Sequence, residues 1–200
     1  MTTAGIAGYG SEADRLAIQY ESVTFEQVHA HVLHLLPASP GRALDIGAGT
    51  GRDAAALAAR GFAVTAVEPT AELRAHGARL HAVHAIRWLD DDLPDLPALA
   101  VSGDRFELIL LTAVWMHLDA EERRRAMARI AAHLAPAGRL FMTLRHGPVP
   151  EGRRMFDVSG DETVALAGDH DLGLLQQTVR ADMFARPGVT WTGLALQAPG

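Results

Sequence analysis

The chain contains 200 residues, of which 48% are hydrophobic, and this is enough apolar material for one compact core. A formal net charge of -6 provides no basic footprint for nucleic acid, and the absence of cysteine excludes disulfides, thiolate catalysis and Cys-ligated zinc. A polar start and the lack of an apolar run of membrane-spanning length predict a cytoplasmic protein without a membrane partner. We therefore expect a single domain over residues 1–200.

Residues 1–40 predict a helical cap ahead of the first strand. Apolar residues recur at helical spacing over residues 25–36, and a proline follows the pattern. We expect this amphipathic helix and the residues before it to pack over a ligand cleft. Tyr9, Arg15 and Tyr20 are candidates for a lid over that cleft, with packing in the core as the alternative for the aromatic residues.

Strand and helix patterns alternate from about residue 42 onward, which indicates a doubly wound α/β fold with a mostly parallel sheet. Capping boxes that begin at Asp119 and Ser159 each open a predicted helix, whereas Pro94 and Pro97 limit any helix between the third and fourth strands. The last two strands pair as a C-terminal antiparallel hairpin. The predicted strands cover residues 42–47, 61–67, 85–89, 106–112, 139–144, 174–181 and 190–197.

A glycine turn between the first predicted strand and the next helix is the most informative feature of the sequence. Gly47, Gly49 and Gly51 allow a sharp turn and close approach of a ligand, and the helix start offers unpaired N–H groups. The dinucleotide fingerprint requires a third glycine where Arg52 stands, so the spacing does not fit NAD. Asp45 places a carboxylate at the strand end, which disfavours a pyrophosphate but suits an ammonium or sulfonium group. This profile predicts S-adenosylmethionine as the ligand.

A second acid lies at the end of the next predicted strand, residues 61–67. Glu68 follows Gly47 by about 20 residues, which is the spacing at which nucleotide-binding α/β folds place an acid on the ribose hydroxyls. We therefore expect Glu68 to bind the ribose of the same ligand.

Five segments occur in an order that is typical of one enzyme family: D-I-G-A-G-T-G-R-D at 45–53, G-F-A-V-T-A-V-E-P at 61–69, the acids at 90–92, F-E-L-I-L-L-T-A-V-W-M-H at 106–117 and L-A-P-A-G-R-L-F-M-T at 134–143. In these segments the chain resembles the class I S-adenosylmethionine-dependent methyltransferases. Residues 51–64 are most similar to small-molecule members of the thiopurine and tellurite-resistance types. The resemblance covers most of the chain and implies a seven-stranded Rossmann-like core over residues 41–200.

The resemblance also implies a cofactor site at the carboxyl ends of the strands. Asp45 and the glycine backbone hold the methionine part, Glu68 holds the ribose, Asp90 or Asp91 reaches the adenine amino group, and Leu89 covers the adenine face. The expected cofactor contacts are Asp45, Gly47, Ala48, Gly49, Gly51, Glu68, Pro69, Leu89, Asp90, Asp91, Thr112 and Trp115.

Two residues are candidates for contact with a methyl acceptor. His117 follows the fourth strand, where a neutral imidazole is suited to act as a general base; the alternative is that it bonds the backbone or lines the pocket. Arg145 ends the fifth strand and is suited to bind an anionic substrate group, with a solvated loop charge as the alternative. No metal is expected, because His29 and His31 point to different helix faces and no carboxylate completes a ligand set.

The sequence therefore predicts in-line transfer of a methyl group to a small-molecule acceptor by a monomer or homodimer. Nucleic acid is disfavoured as a substrate, because the arginines at 123–125 lie on the predicted solvent face of a helix. Two alternatives remain open: a non-catalytic S-adenosylmethionine-binding module that acts through a partner, and a nucleotide-dependent oxidoreductase. The acceptor and the methylated atom are not predicted.

Overall fold

The computed structural model describes residues 8–200, and the strands in this part of the chain form one seven-stranded sheet. The strands are β1 Arg42–Ile46, β2 Ala63–Val67, β3 Ile86–Leu89, β4 Phe106–Thr112, β5 Leu134–His146, β6 Gly173–Ala181 and β7 Thr190–Gln197.

The strand order is β3-β2-β1-β4-β5-β7-β6. Neighbouring strands from β3 to β5 pair in parallel, and β7 runs antiparallel between β5 and β6. The predicted doubly wound, mostly parallel Rossmann-like sheet with a C-terminal hairpin is confirmed. Because the five parallel strands end at one edge, the loops that follow them are brought together there.

Helices pack on both faces of the sheet. Helices α5, α6 and α7 contribute to the core on one face, and α2 and α3 to the core on the other, while α1 packs on α4 through Leu16 and Leu73. No helix among residues 8–200 is both long and apolar enough to cross a membrane. The helices are α1 Ala13–Glu21, α2 Phe25–His29, α3 Arg52–Ala59, α4 Ala71–Leu80, α5 Pro97–Ser102, α6 Ala120–His133 and α7 Gly160–Gly168, with 3₁₀ turns at Gly10–Glu12, Leu33–Leu35 and Trp115–His117.

Strand β4 lies at the centre of the sheet and is buried on both faces. Leu108 and Leu110 pack into the core that contains α3, whereas Ile109 and Leu111 pack into the core that contains α6. Successive side chains of a strand point to opposite faces, so a central parallel strand must be apolar throughout. This explains why the run was recognisable in the sequence.

The predicted helix over residues 25–36 is wrong. Helix α2 starts at a capping box formed by Thr24 and Gln27 but ends at His29, and a separate 3₁₀ turn follows. His29 is drawn into a buried hydrogen bond with Asp53, and the Val32 amide closes a turn back onto the His29 carbonyl. The apolar spacing still buries Phe25 and Val32, but tertiary contacts break the helix between them.

One further boundary differs from the sequence-based expectation. Strand β5 begins at Leu134 rather than at residue 139, because Leu134 already pairs with Phe106 and residues 135–138 form a bulge where the register with β4 shifts. Between β3 and β4, Pro97 is the first residue of helix α5, which has only six residues. Proline is tolerated there, since the first helical residue does not use its N–H.

Arg123 is not on the solvent face of its helix, which corrects the interpretation of residues 123–125. Its guanidinium is buried, donates to the Leu118 carbonyl at 2.7 Å and pairs with Glu162 at 2.7 Å. We expect Arg123→Ala to lower the free energy of unfolding in urea by about 2 kcal/mol, because the carbonyl loses a charged donor. Arg125→Ala, which removes an exposed pair with Asp95, is the matched control and should change it by less than about 0.5 kcal/mol. Equal losses would contradict a buried structural role for Arg123.

Candidate functional site

A cavity of about 540 Å³ opens at the carboxyl edge of the parallel strands. Its walls come from the ends of β1, β2, β4 and β5, from α1, and from the loop that joins β6 to β7. In α/β proteins this edge, where the strand order reverses next to β1, is the usual place for a ligand. The cavity therefore marks the candidate site.

The glycine turn forms the floor of the cavity next to β1. Gly47, Gly49 and Gly51 have φ of 69°, 59° and 81°, which side-chain-bearing residues rarely adopt. The N–H groups of Gly47 and Ala48 both donate to the Val67 carbonyl, at 2.8 and 2.9 Å. The amide of Gly49 donates to Glu68 at 2.8 Å. These three amides of the turn are therefore paired with the end of β2 and with the acid that follows it, and the predicted unpaired N–H groups concern the start of α3 instead.

Asp45 lies at the end of β1 as predicted and borders the cavity. Its side chain is buried and accepts a hydrogen bond from the Ala54 amide, while its Oδ2 atom has no partner among the described residues. Burial, and then the charge of Asp53, raise the pKa of Asp45 above its usual range. An unpaired buried carboxylate oxygen is costly, and a cationic ligand group would satisfy it.

Asp53 is a site residue that the sequence analysis missed. It accepts hydrogen bonds from His29 at 2.8 Å and Thr112 at 2.7 Å, and it pairs with Arg52 at 2.7 Å. Although burial opposes ionisation, the charge of His29 and then that of Arg52 hold the pKa of Asp53 below its usual range. The signal in the sequence was its position four residues before the buried Leu57, on the helix face that meets the sheet.

Glu68 reaches back from β2 to the glycine turn. Its two carboxylate oxygens accept from the amides of Gly49 and Thr70, each at 2.8 Å. Burial raises the pKa of Glu68. Each oxygen keeps a second lone pair, so contact with ribose hydroxyls is compatible with these bonds and stays a prediction. Pro69, which follows directly, also lines the cavity.

The acids at 90–92 are placed differently from the expectation. Asp90 is exposed and paired with Arg74 at 2.8 Å, and Asp91 accepts from the amide of Leu99 at 2.8 Å. Asp91 and Asp92 line the cavity, whereas Leu89 and Asp90 are not among its described walls. Burial, and then the charge of Asp91, raise the pKa of Asp92. Asp92, which was not chosen from the sequence, is thus a further acid at this end of the cavity.

The segment after β4 turns Trp115 away from the cavity. Trp115 is fully buried in the core beneath α6, and it is not among the described residues that line the cavity. Within the 3₁₀ turn over Trp115–His117, Trp115 is buried in the core, whereas His117 lies in the cavity wall. Trp115 is therefore a core residue. Thr112 and His117 line the cavity, and their contacts with a cofactor or an acceptor stay predictions.

His117 is held between the cap and the loop after β5. Its Nδ1 atom lies 2.8 Å from the Arg154 carbonyl, which only accepts, so Nδ1 carries the proton and donates. Its Nε2 atom is then the acceptor for the Tyr9 hydroxyl at 3.1 Å. Burial lowers the pKa of His117, which favours this neutral form. The ring therefore positions Tyr9, and a general-base role for it stays a prediction.

The N-terminal cap contributes part of the cavity wall. Tyr9, Arg15 and Tyr20 line the cavity, and Tyr20 packs over Gly49. Arg153 lies over the Tyr9 ring at 4.0 Å from its centroid, which ties the cap to the loop after β5. Within residues 8–200 no group of three or more histidine, aspartate or glutamate side chains is arranged to hold a metal ion.

The sequence of the chain matches a known family. A family model described as a methyltransferase domain matches residues 20–165. The chain belongs to this family. An uncharacterized methyltransferase of Mycobacterium tuberculosis is 34% identical over 107 residues, a match that covers 53% of this chain and 40% of the relative. The matched part therefore spans less than half of that relative's length.

Two solved methyltransferases share the fold at low sequence identity. The 1,6-didemethyltoxoflavin-N1-methyltransferase of Burkholderia thailandensis, with bound 1,6-didemethyltoxoflavin and S-adenosylhomocysteine, has a TM-score of 0.68 and 21% identity over 100% of this chain and 85% of its own. A TehB-like S-adenosylmethionine-dependent methyltransferase from Corynebacterium glutamicum has a TM-score of 0.68 and 17% identity over 95% of this chain and 99% of its own. At these identities, both matches show that this chain has the methyltransferase fold and nothing beyond it.

Proposed function

We propose that the protein transfers the methyl group of S-adenosylmethionine to a small-molecule acceptor. The observation that carries the proposal is Asp45, whose buried Oδ2 atom lacks a partner among residues 8–200 and borders the cavity at the glycine turn. A cationic donor is the ligand group that stabilises this oxygen most when the carboxyl group is ionised. S-adenosylmethionine has both an ammonium and a sulfonium to offer.

The residues present fit this cofactor. A Cβ atom on Gly49 would lie 3.3 Å from the Tyr20 ring, so glycine leaves the space between turn and cap open. Asp45 would hold the methionine part, Glu68 the ribose, and Asp91 or Asp92 the adenine end. Bound there, S-adenosylmethionine supplies a methyl group that is already activated by its sulfonium sulfur.

The same contacts disfavour a dinucleotide cofactor. The amides of Gly47 and Ala48 are taken by the Val67 carbonyl, and the amide of Gly49 is taken by Glu68. A pyrophosphate would meet carboxylates where the dinucleotide fold offers N–H groups. The oxidoreductase alternative therefore has little support from the turn.

The protein's own part in the reaction is orientation and exclusion of water. Methyl transfer requires the acceptor to approach in line, so a cavity that fixes both partners supplies most of the rate. Tyr9 and Tyr20 cover the cavity from the cap, and His117 fixes Tyr9 through the bond to its hydroxyl. If the acceptor must lose a proton, the unprotonated Nε2 atom of His117, reached through Tyr9, is the candidate base.

A small molecule is the acceptor class that the cavity supports best. At about 540 Å³ its volume lies in the range of small-molecule sites. The Burkholderia methyltransferase with the same fold binds 1,6-didemethyltoxoflavin, which is a small molecule. A cytoplasmic location and a monomeric or homodimeric state stay predictions from the sequence.

Transfer of a labelled methyl group tests this proposal. Purified protein is incubated with methyl-labelled S-adenosylmethionine and a cell extract that has been separated by size. We expect label in the small-molecule fraction, less with Glu68→Gln, and full label with Glu72→Gln, a matched change of an exposed acid on α4. Label in macromolecules alone would contradict a small-molecule acceptor. Intact cofactor binding without label in either fraction would favour the non-catalytic module.

A further inference from the structure

Two arginines stand on either side of a tryptophan at the end of the cavity away from Glu68. Arg145 on β5 pairs in register with Trp191 on β7, and Trp191 in turn pairs with Arg180 on β6. Residues directly opposite each other in antiparallel strands point to the same face of a sheet. The three side chains therefore form one row, and all three line the cavity. We call Arg145 and Arg180 the arginine cradle.

The cradle lacks acceptors within the part of the chain that the structure describes. Arg145 is only 9% exposed, and its Nε atom is buried without a hydrogen-bond partner. The Nε and Nη1 atoms of Arg180 are buried without a partner as well, and its guanidinium lies 5.6 Å from the centre of the Trp191 ring. Burial lowers the pKa of both arginines, although a guanidinium stays charged in proteins. One buried and one partly buried positive charge thus remain without a hydrogen-bonded counter-ion among residues 8–200.

The acid nearest to the cradle is already engaged. Asp182 accepts from Arg186 at 2.6 and 2.9 Å, from Trp191 Nε1 at 2.8 Å, and from the amides of Phe184 and Arg186. The hydrogen bond from Arg186, above all, holds the pKa of Asp182 well below its usual range. The charge of Asp182 also acts on both cradle arginines and opposes the effect of burial on their pKa. It is bonded to a third arginine, however, and one carboxylate cannot balance three guanidinium groups.

The cradle is separate from the acidic half of the cavity. Asp45 and Glu68 lie on or next to β1 and β2, whereas β5 is two strands and β6 four strands away from β1. At the usual strand spacing these separations are about 10 Å and about 19 Å. The cradle therefore lies over the half of the sheet where, under the proposed function, the acceptor binds. Met155, Met183 and Phe184 add apolar surface to the cavity wall.

We propose that the arginine cradle binds an oxyanion of the methyl acceptor, a carboxylate or a phosphate, and that the acceptor is a small organic anion with an apolar body. That the bound anion is the methyl acceptor rests on the proposed function. That the cradle binds an oxyanion does not. Guanidinium groups bind both oxyanions through charged, often bidentate hydrogen bonds. Such a group would satisfy the buried Nε atoms that the protein leaves unpaired.

Probe anions of matched shape test the cradle directly. Benzoate, phenyl phosphate and neutral benzamide are titrated, with and without S-adenosylhomocysteine, into wild type, Arg145→Met, Arg180→Met and Arg87→Met. Ligand-observed NMR reports binding. Methionine keeps the apolar stem but removes the charge. Arg87 is an exposed arginine on β3 that pairs with Asp104 and serves as the matched control.

We expect at least one of the two anions to bind wild type and Arg87→Met, benzamide to bind more weakly, and both cradle variants to lose about tenfold or more in affinity. The better anion identifies the oxyanion class. Benzamide binding as tightly as both anions, unchanged affinity in the cradle variants, or no binding of either anion would overturn the cradle. S-adenosylhomocysteine affinity should be the same in all four proteins. If none of the four proteins bound S-adenosylhomocysteine, the proposed function would be overturned. The anion titrations without S-adenosylhomocysteine would still show whether the cradle binds an oxyanion.

Discussion

Asp45→Asn is expected to weaken S-adenosylmethionine binding by about 1–3 kcal/mol, which is about 5- to 150-fold, and to stabilise the ligand-free protein. Asparagine keeps the shape of the side chain but removes the charge that Oδ2 would present to a cation. In the ligand-free protein the same charge is buried beside Asp53, so its removal should raise the free energy of unfolding at neutral pH by about 1 kcal/mol.

The pH dependence of both quantities follows from the raised pKa of Asp45. In the unfolded chain an aspartate has a pKa of about 3.9, so above this pH the folded protein keeps a proton that the unfolded chain has lost. The contribution of Asp45 to stability is therefore full below that pH and falls as the pH rises through the folded pKa. S-adenosylmethionine affinity should rise over the same window, because the cation requires the ionised carboxylate.

Calorimetric titrations over that pH range, with urea unfolding of the same samples, measure both effects. Asp45→Asn should lose both pH trends, and Asp95→Asn, which changes a half-exposed acid, should keep them. An equal loss of affinity for S-adenosylmethionine and S-adenosylhomocysteine would assign Asp45 to the ammonium, and a larger loss for S-adenosylmethionine would assign it to the sulfonium. Unchanged affinity for both ligands would contradict the assigned role.

Gly47→Ala is expected to lower the free energy of unfolding by about 2–4 kcal/mol and to abolish tight cofactor binding. A Cβ atom at this position would overlap the Cγ2 atom of Val114, and φ is 69°. The turn would have to move away from the segment after β4, and this would displace the backbone beside Asp45. Urea unfolding and calorimetry on one preparation measure both effects.

Gly103 provides the matched control for backbone strain. Its φ is 63°, close to that of Gly47, but a Cβ atom there would meet nothing within 4 Å. Gly103→Ala should therefore cost only the strain, about 1 kcal/mol, and leave cofactor binding intact. Val114→Ala should recover part of the loss in the Gly47→Ala protein. Equal effects of the two glycine substitutions would show that overlap with Val114 is not the cause.

Sequence patterns predicted the parts of the site that one segment of chain specifies. Gly47, Gly49 and Asp45 belong to one strand-turn-helix unit, and Glu68 follows at the spacing set by the next strand. These residues meet because adjacent parallel strands end at one edge of the sheet. The fold class was predictable for the same reason, since the alternation of strands and helices is local.

Residues that act through pairing between distant elements were not predictable. The bond of His29 to Asp53 joins α2 to α3, and it also ends α2 earlier than its apolar spacing indicates. The place of Arg180 beside Trp191 depends on the register of the β6–β7 ladder. A shift of one residue would move the Arg180 side chain to the other face of the sheet. Trp115 follows a strand that borders the site, yet its 3₁₀ turn points it into the core.

The decisive measurement is a calorimetric titration of the wild-type protein with S-adenosylhomocysteine, with NADH in parallel. We expect S-adenosylhomocysteine to bind at a single site and NADH not to bind, because Asp45 and Glu68 present carboxylates at the glycine turn, where a dinucleotide fold binds the pyrophosphate. Binding of NADH without binding of S-adenosylhomocysteine would exclude the proposed cofactor site and would favour the oxidoreductase alternative.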